Sequence, residues 1–574
     1  MTNELVLLPP NLVVCSVCNL VDDPWIPLSS PQREVAEHSL RDTLLESHRF
    51  SGPVFPAPTL FPAVLRQVLL PVLLDSIGSP RTSTEWSEWF FRGHFDEQQR
   101  ETVSRYLDQH LHSFDLFSSQ RPFAQVAGLE SSSRETKGSA LLVPSIATGN
   151  NVPLFSSMTE AGTLPLRPAE ATWWLLHAHC WDTAAIKTGA AGDPRVKGGK
   201  TTGNPTGPLG QLGVIVPTGT TLFETLLLNL PPHVPVPGSL DRPQWRASGS
   251  DGQDGEGVAS PGSPQWSTRP ELGLMDLLTW QSRRVRLVAE ERPEGLRVTK
   301  VVLCAGDRLS RIPETEPHTA WTWLAKPRKG QSRWRPRRHR PGRALWRGLE
   351  SLLAVIPPED RTDISSDTEV TSELLREILE LQTDGALPDT YPLRVTSVGM
   401  VYGNQSAVVE DVIADEIPLP LSALVTDDHT QEVVTELVMQ AEAVSRALDR
   451  MDSDLRRANG GSPIPWDKGH HPGAVLLHAL DPWARRALTL IQDHADHDDR
   501  LEEVMEAWEK KVWQLSDEHA QRLLDAAPAQ VFSGRKVDNR VLCEATVHRY
   551  FRAALYKNLT RQAEHHRAPA PEGN

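Results

Sequence analysis

Four stretches of this 574-residue chain carry side chains whose types and spacing suit chemistry. In the first, Ile186 to Gly203, Lys187, Arg195, Lys197 and Lys200 stand among glycines. Gly198-Gly199-Lys200-Thr201 suggests a nucleotide-hydrolysing loop, but that pattern needs glycine where Pro194 stands, and it must run into a helix. Gly203-Asn204-Pro205 follows instead, so nucleotide hydrolysis is excluded. Two readings stay open: a surface loop, or a grip on a phosphate chain, because glycines let backbone N–H groups approach anionic oxygens.

The second stretch, Lys326 to Arg347, holds ten basic residues and no acid, including Lys326, Lys329, Arg333, Arg335, Arg337 and Arg338. The whole chain has 59 basic and 74 acidic residues, a net charge of −15, so this run is not ordinary surface. Arginine forks hold phosphates, and the interleaved Trp334 and Trp346 offer faces to sugars or bases. Docking on an acidic protein partner is the rival reading. In the third stretch, Val398 to Glu410, Gly403 breaks a strand-like run before Asn404, Gln405 and Ser406, and apolar residues resume after them. This pattern predicts a hairpin-like projection with neutral, two-way hydrogen-bonding amides at its tip; an ordinary polar turn is the plain alternative. The fourth, Asp493 to Asp499, contains His494 and His497. A metal-dependent hydrolase would need further, separated ligands, so a polar loop between helices is expected and no metal.

The elements that must position these stretches follow from composition and periodicity. Apolar content of 39% and charged content of 23% describe a globular chain, and the 47 prolines predict many fixed loops. Five cysteines make no disulfide framework; Cys15 and Cys18 form a lone C-x-x-C, and a reducing, cytoplasmic setting is expected. The apolar start is split by Pro9-Pro10 and lacks a basic lead, so no signal peptide is expected, and no run is long enough to span a membrane. Residues 33 to 115 read as mostly helical, 121 to 168 as irregular, and 231 to 268 as a mobile surface excursion. Val285–Ala289 and Leu296–Cys304 read as a hairpin. From about 430 the apolar positions recur at helical spacing in four segments: 433–455, 473–492 (bent or interrupted at Pro482), 500–526 and 539–559. The expected class is α+β: a mixed domain over 1–425, then a four-helix bundle over 426–574.

Asn19 to Leu28, Arg121-Pro122-Phe123-Ala124-Gln125, Pro194 to Lys200, Leu226 to Leu230, Pro317-His318-Thr319 and Tyr402 to Ser406 occur in this order. Together they resemble the large subunit of the type I-E CRISPR Cascade surveillance complex, the CasA family. The resemblance implies a non-catalytic, cofactor-free subunit that partners the other Cascade subunits, CRISPR RNA, double-stranded target DNA and a helicase–nuclease. It implies Gln405 as a wedge under the protospacer-adjacent motif, with Asn404 and Ser406 as minor-groove contacts. Gly198, Gly199, Lys200 and Thr201 fall in the family's glycine loop, beside Arg195 and Lys197. The family's minor-groove lysine corresponds to Lys326 or Lys329, and the loop near 130–150 to one that faces neighbouring subunits and the guide RNA. A minor groove with few distinguishing groups suits small amides, and a wedge must cover the cost of unstacking. Target sequence is then read by RNA pairing.

Overall fold

The computed structural model describes residues 19–148, 164–233, 239–246, 262–354, 366–425, 429–465, 469 and 471–567. Cys15 and Cys18, part of the irregular 121–168 region and much of the 231–268 excursion lie outside these residues. The chain forms two compact units. One comprises Met1–Gly342, Pro358–Leu387 and Val395–Glu416; the other comprises Arg343–Pro357, Pro388–Arg394 and Ile417–Asn574.

In the first unit the helical stretch from Leu60 to Ser76 passes through a π segment, Leu65–Leu69, just before Pro71. Proline has no N–H to close an ordinary helical bond, and the wider turn accommodates it. Arg66, on that segment, is buried, as are Glu316 and His318. Helix α1 (Pro168–Trp181) has nearly every side chain buried, including Trp173 and Trp181, as a helix apolar on all its faces must.

Around α1 lie two sheets. Strand β1 (Lys137–Gly138) and strands β2 (Lys187–Thr188) and β3 (Lys200–Thr201) belong to one. Strand β4 (Val214–Thr218) belongs to the other. The predicted hairpin is β5 (Arg283–Arg292) with β6 (Gly295–Ala305), antiparallel with a register shift between Val298 and Lys300. Strand β6 also pairs with β1, antiparallel, and with β2, parallel. Strands β7 (Trp321–Trp323), β8 (Trp334–Pro336) and β9 (Thr368–Val370) form a small sheet with β7 central. Strands β10 (Arg394–Tyr402) and β11 (Val409–Pro418) complete the sheet ordered β11-β10-β4.

The second unit is built on α2 (His429–Ala458), α3 (Pro472–Asp493), α4 (Asp498–Asp525) and α5 (Glu544–Asn558). The first of these packs against the other three, as the expected bundle requires. The second predicted segment, here α3, runs as one helix through Pro482, where a bend or interruption was expected. The fourth starts later than its periodicity suggests, because 535–542 form a small hairpin that turns at Asp538-Asn539, both with positive φ. His494 caps the C-terminus of α3 and His497 the N-terminus of α4.

Burial in α1 has a consequence for acid stability. The imidazole of His177 is pushed down to about 3 by burial, and that of His179 to about 4, also chiefly by burial. Both lie below the ordinary histidine value, so between pH 6.5 and about 4 the unfolded chain binds protons that the folded chain refuses. Stability is full above pH 6.5 and falls as the pH drops through this window. Thermal melting followed from pH 7 to pH 4 should show that fall, and a His179→Gln variant should show a shallower one.

Candidate nucleic-acid interface

The polar tip is a true projection. Strands β10 and β11 lead into and out of it, and the Gly403 N–H donates to the Val408 carbonyl at 2.9 Å. Asn404 and Gln405 are exposed, and Ser406 is half-buried. Gln405 and Ser406 hold φ of 52° and 55°, a left-handed conformation that costs a non-glycine residue about 1–2 kcal/mol. Strain of this kind persists where the surroundings impose it. Here the Ser406 carbonyl accepts from the Ala184 N–H at 2.8 Å, and the hydroxyl of Tyr402 donates to the Trp181 carbonyl at 2.5 Å. The Tyr402 ring also lies against Gly210, where a Cβ would come within 2.4 Å of its oxygen. Two backbone segments therefore fix the tip from below and leave its amides in solvent.

The glycine stretch is ordered as a tight hairpin. Lys197 and Lys200 exchange backbone hydrogen bonds of 3.0 and 3.1 Å across Gly198 and Gly199, whose φ values are 55° and 73°. Positive φ at both central positions defines the turn that matches strand twist, and glycine supplies it without a Cβ penalty. The Gly199 carbonyl accepts from the Gly189 N–H at 2.9 Å. Arg195, Lys197 and Lys200 are exposed and have no carboxylate partner among the described residues, whereas Thr201 is buried. The stretch leads into β3, a strand and not a helix. Lys187 points inward, paired with Asp182 at 2.6 Å. Asp182 also holds Arg283, and burial lowers the Lys187 ammonium to about 8.

This packing brings the tip and the glycine turn together. Ala184, which anchors Ser406, lies three residues before Lys187, and β2 carries Lys187 alongside Thr201. Arg338 joins them: its Nε donates to the Gln211 carbonyl at 3.2 Å, next to the Gly210 that receives Tyr402. Sequence reasoning missed Arg308, whose guanidinium lies 3.8 Å from the Trp266 ring centroid, with Arg195 at 4.9 Å from that same ring. Arg308 hydrogen-bonds the Thr202 carbonyl at 2.6 Å and Asn204 at 3.0 Å. Burial, with Arg283 and Arg195 nearby, lowers its value. Nothing in sequence spacing joins 195, 266 and 308. Tyr402 did leave a signal: strand alternation puts it on the face of the buried Val398 and Met400.

The basic run does not act as one strip. Lys326 and Lys329 lie exposed in the turn between β7 and β8, Lys329 next to Gly330 with φ of 81°. Arg333 covers Trp323 at 4.9 Å, and Arg335 is exposed. Arg337 is tied to Glu369. In the second unit Arg347 pairs with Glu442 at 2.8 Å and Arg343 approaches the same carboxylate at 4.0 Å. Trp346 is fully buried, with its indole N–H on Asp481 at 2.9 Å, and Trp334 packs edge-on against Trp321. Trp346 is therefore not free to stack on a base, contrary to the sequence reading, whereas Trp334 stays half-buried. Among the described residues no group of three or more histidine, cysteine, aspartate or glutamate side chains is placed to hold a metal, and no helix is long and apolar enough to cross a membrane.

The model of the family described as CRISPR-associated protein Cse1 matches residues 19–518. The chain belongs to the Cse1 family. A CasA/Cse1 protein of Thermus thermophilus is 27% identical over 503 residues, covering 84% of this chain and 88% of that protein. The solved Cse1 of Thermobifida fusca is 29% identical, with a TM-score of 0.77 over 95% of this chain and 98% of its own. A chain of a CRISPR RNA-guided surveillance complex, 20% identical, shares the Cse1 fold with a TM-score of 0.63 over 94% of this chain and 99% of that one.

Proposed function

We propose that this chain is a non-catalytic subunit of a cytoplasmic, RNA-guided surveillance complex, and that it inspects duplex DNA through the minor groove. The exposed Asn404-Gln405-Ser406 tip, pinned from below in a strained conformation, carries this reading. Gln405 wedges beneath a short motif beside the target, Asn404 and Ser406 hydrogen-bond base edges, and Lys326 or Lys329 reaches the same groove from the β7–β8 turn. Arg195, Lys197, Lys200, Arg333, Arg335 and Arg338 hold phosphates, while Gly198, Gly199 and Thr201 shape the turn that carries two of them. Opening the duplex lets the guide RNA pair, and the chain then recruits a helicase–nuclease. Partner subunits supply much of the phosphate binding, which reconciles the role with a net charge of −15.

Co-expression with the other subunits and a CRISPR RNA tests the assignment. The expected result is a co-purifying complex that binds target duplex only when this chain and the motif are both present. Equal binding without the chain overturns it. Within the complex, Gly198→Val should weaken duplex binding severalfold with little change in melting temperature, whereas Gly198→Asn should bind nearly as well. Space at Gly198 is open, so the difference isolates the left-handed backbone, worth about 1–2 kcal/mol for a residue that resists it. Binding titrations of the two variants check this.

A further inference from the structure

Trp266 carries two guanidiniums, those of Arg308 and Arg195, 3.8 and 4.9 Å from its ring centroid. An aromatic face attracts a cation at such distances. Trp266 is buried, and its indole N–H donates to Asp193 Oδ2 at 2.9 Å. The other oxygen, Oδ1, accepts from the Arg195 backbone N–H at 3.0 Å. The buried Asp193 is thus spent on tying this loop to the ring, and neither guanidinium forms an ion pair among the described residues. Arg308 is held in register as well. Its backbone N–H donates to the Ser267 carbonyl at 2.8 Å, where Arg308-Leu309 pairs in parallel with Thr268-Arg269. Its Nη2 donates to the Thr202 carbonyl and to Asn204 Oδ1. Its Nη1 is not enclosed and has no partner among the described residues. That nitrogen lies beside the exposed Gly203, where a Cβ would stand 3.5 Å from it.

We infer that Arg308 is a phosphate ligand for the target DNA beside Arg195, with Trp266 as the platform that sets both guanidiniums. The inference deepens the proposed function, which leaves Arg308 without a role, and rests on this face's engaging DNA. Two positive charges gathered on one ring repel each other, and an anion arriving from outside relieves that repulsion. Arg308 is already aimed for one. Its Nη2 spends its hydrogens on Thr202 and Asn204, which fixes the plane of the fork, and Nη1 is left to donate outward. A fork oriented in advance loses less freedom for each hydrogen bond it forms. Thr202 directly follows β3, whose exposed Lys200 continues the basic line towards Lys197. Phosphate contacts carry no sequence information but set the register of a duplex, so this grip holds the DNA in place while the tip reads the motif.

The test measures the affinity of the assembled complex for motif-bearing and motif-free duplexes across a series of salt concentrations. Arg308→Gln removes the charge. Gly203→Asp leaves Arg308 and its bonds in place but sets a carboxylate beside Nη1, and Gly203→Asn makes the same backbone demand without the charge. Aspartate and asparagine both tolerate the left-handed φ of 69° at this position. Melting and guide-RNA content establish that each complex folds and assembles. Arg308→Gln and Gly203→Asp are expected to weaken both duplexes severalfold and to the same extent. Each should also make the fall of log affinity with log salt shallower by about 1, the value of one phosphate contact. Gly203→Asn should keep the wild-type slope. Assembled Arg308→Gln or Gly203→Asp complexes with the wild-type slope overturn the inference, because a merely structural brace changes affinity without changing the slope. Loss of guide RNA in place of duplex overturns the DNA source. A wild-type complex that binds both duplexes alike counts against the motif-reading tip alone, while the slopes still decide Arg308, so the two failures are distinguishable.

Discussion

Replacing Gln405 with alanine is expected to lower guide-RNA pairing on a motif-bearing target by about tenfold to a hundredfold, while weak motif-independent duplex binding persists. The estimate follows from the few kcal/mol needed to unstack a base step, which an inserted side chain must help to cover. Gln405→Gly sharpens the experiment. Glycine adopts the observed φ of 52° without penalty and should relieve about 1–2 kcal/mol of strain, so this variant is expected to melt no lower than wild type yet to open the target equally poorly. Pairing kinetics and melting, measured on the same preparations, separate a wedge from a merely structural turn. Equal loss of motif-dependent and motif-independent binding in both variants would contradict the wedge.

The second large effect lies far from the tip. Glu316→Gln should destabilise the first unit by about 3–5 kcal/mol, the range for leaving a buried charge without its partner. Arg66 and Glu316 are 2% and 0% exposed, and one of their contacts is 2.8 Å. Arg66 also donates to His318 Nδ1 at 3.0 Å, which requires a neutral imidazole, and burial together with Arg66 holds His318 well below the ordinary histidine value. The carbonyl of His318 accepts from Ile215 at 2.9 Å, and Thr319 bridges Val214. The buried pair therefore braces β4, the strand beside β10. Denaturant unfolding should register the loss, and Arg66→Met combined with Glu316→Leu should recover most of it, because an apolar pair of similar bulk leaves no orphaned charge.

The Pro317-His318-Thr319 motif shows how far the sequence could be read. Its place in the family order was legible, but its partner Arg66 lies 252 residues away, so its bracing role was not. The tip was legible because a glycine followed by three polar residues interrupts a β-branched run, a local signal. The order within the glycine stretch was legible in principle as well, since Gly-Gly between lysines is the signature of a two-residue hairpin turn. Charge misled more than periodicity did. The run from Lys326 to Arg347 looked continuous because its neutralising partners, Glu369 and Glu442, come from distant segments. Trp346 looked available for stacking because sequence alone does not show Asp481 waiting for its N–H. Helix periodicity located the bundle, but the hairpin over 535–542 displaced the start of the last long helix, where short strands with Asp-Asn at their turn override a helical pattern.

Photo-cross-linking tests the central claim most directly. A photoreactive side chain at position 405, in the complex assembled with guide RNA and target duplex, should label the motif base pairs from the minor-groove side, with labelling lost when the motif is changed. Labelling that ignores the motif, or that falls only on partner proteins, would contradict the account.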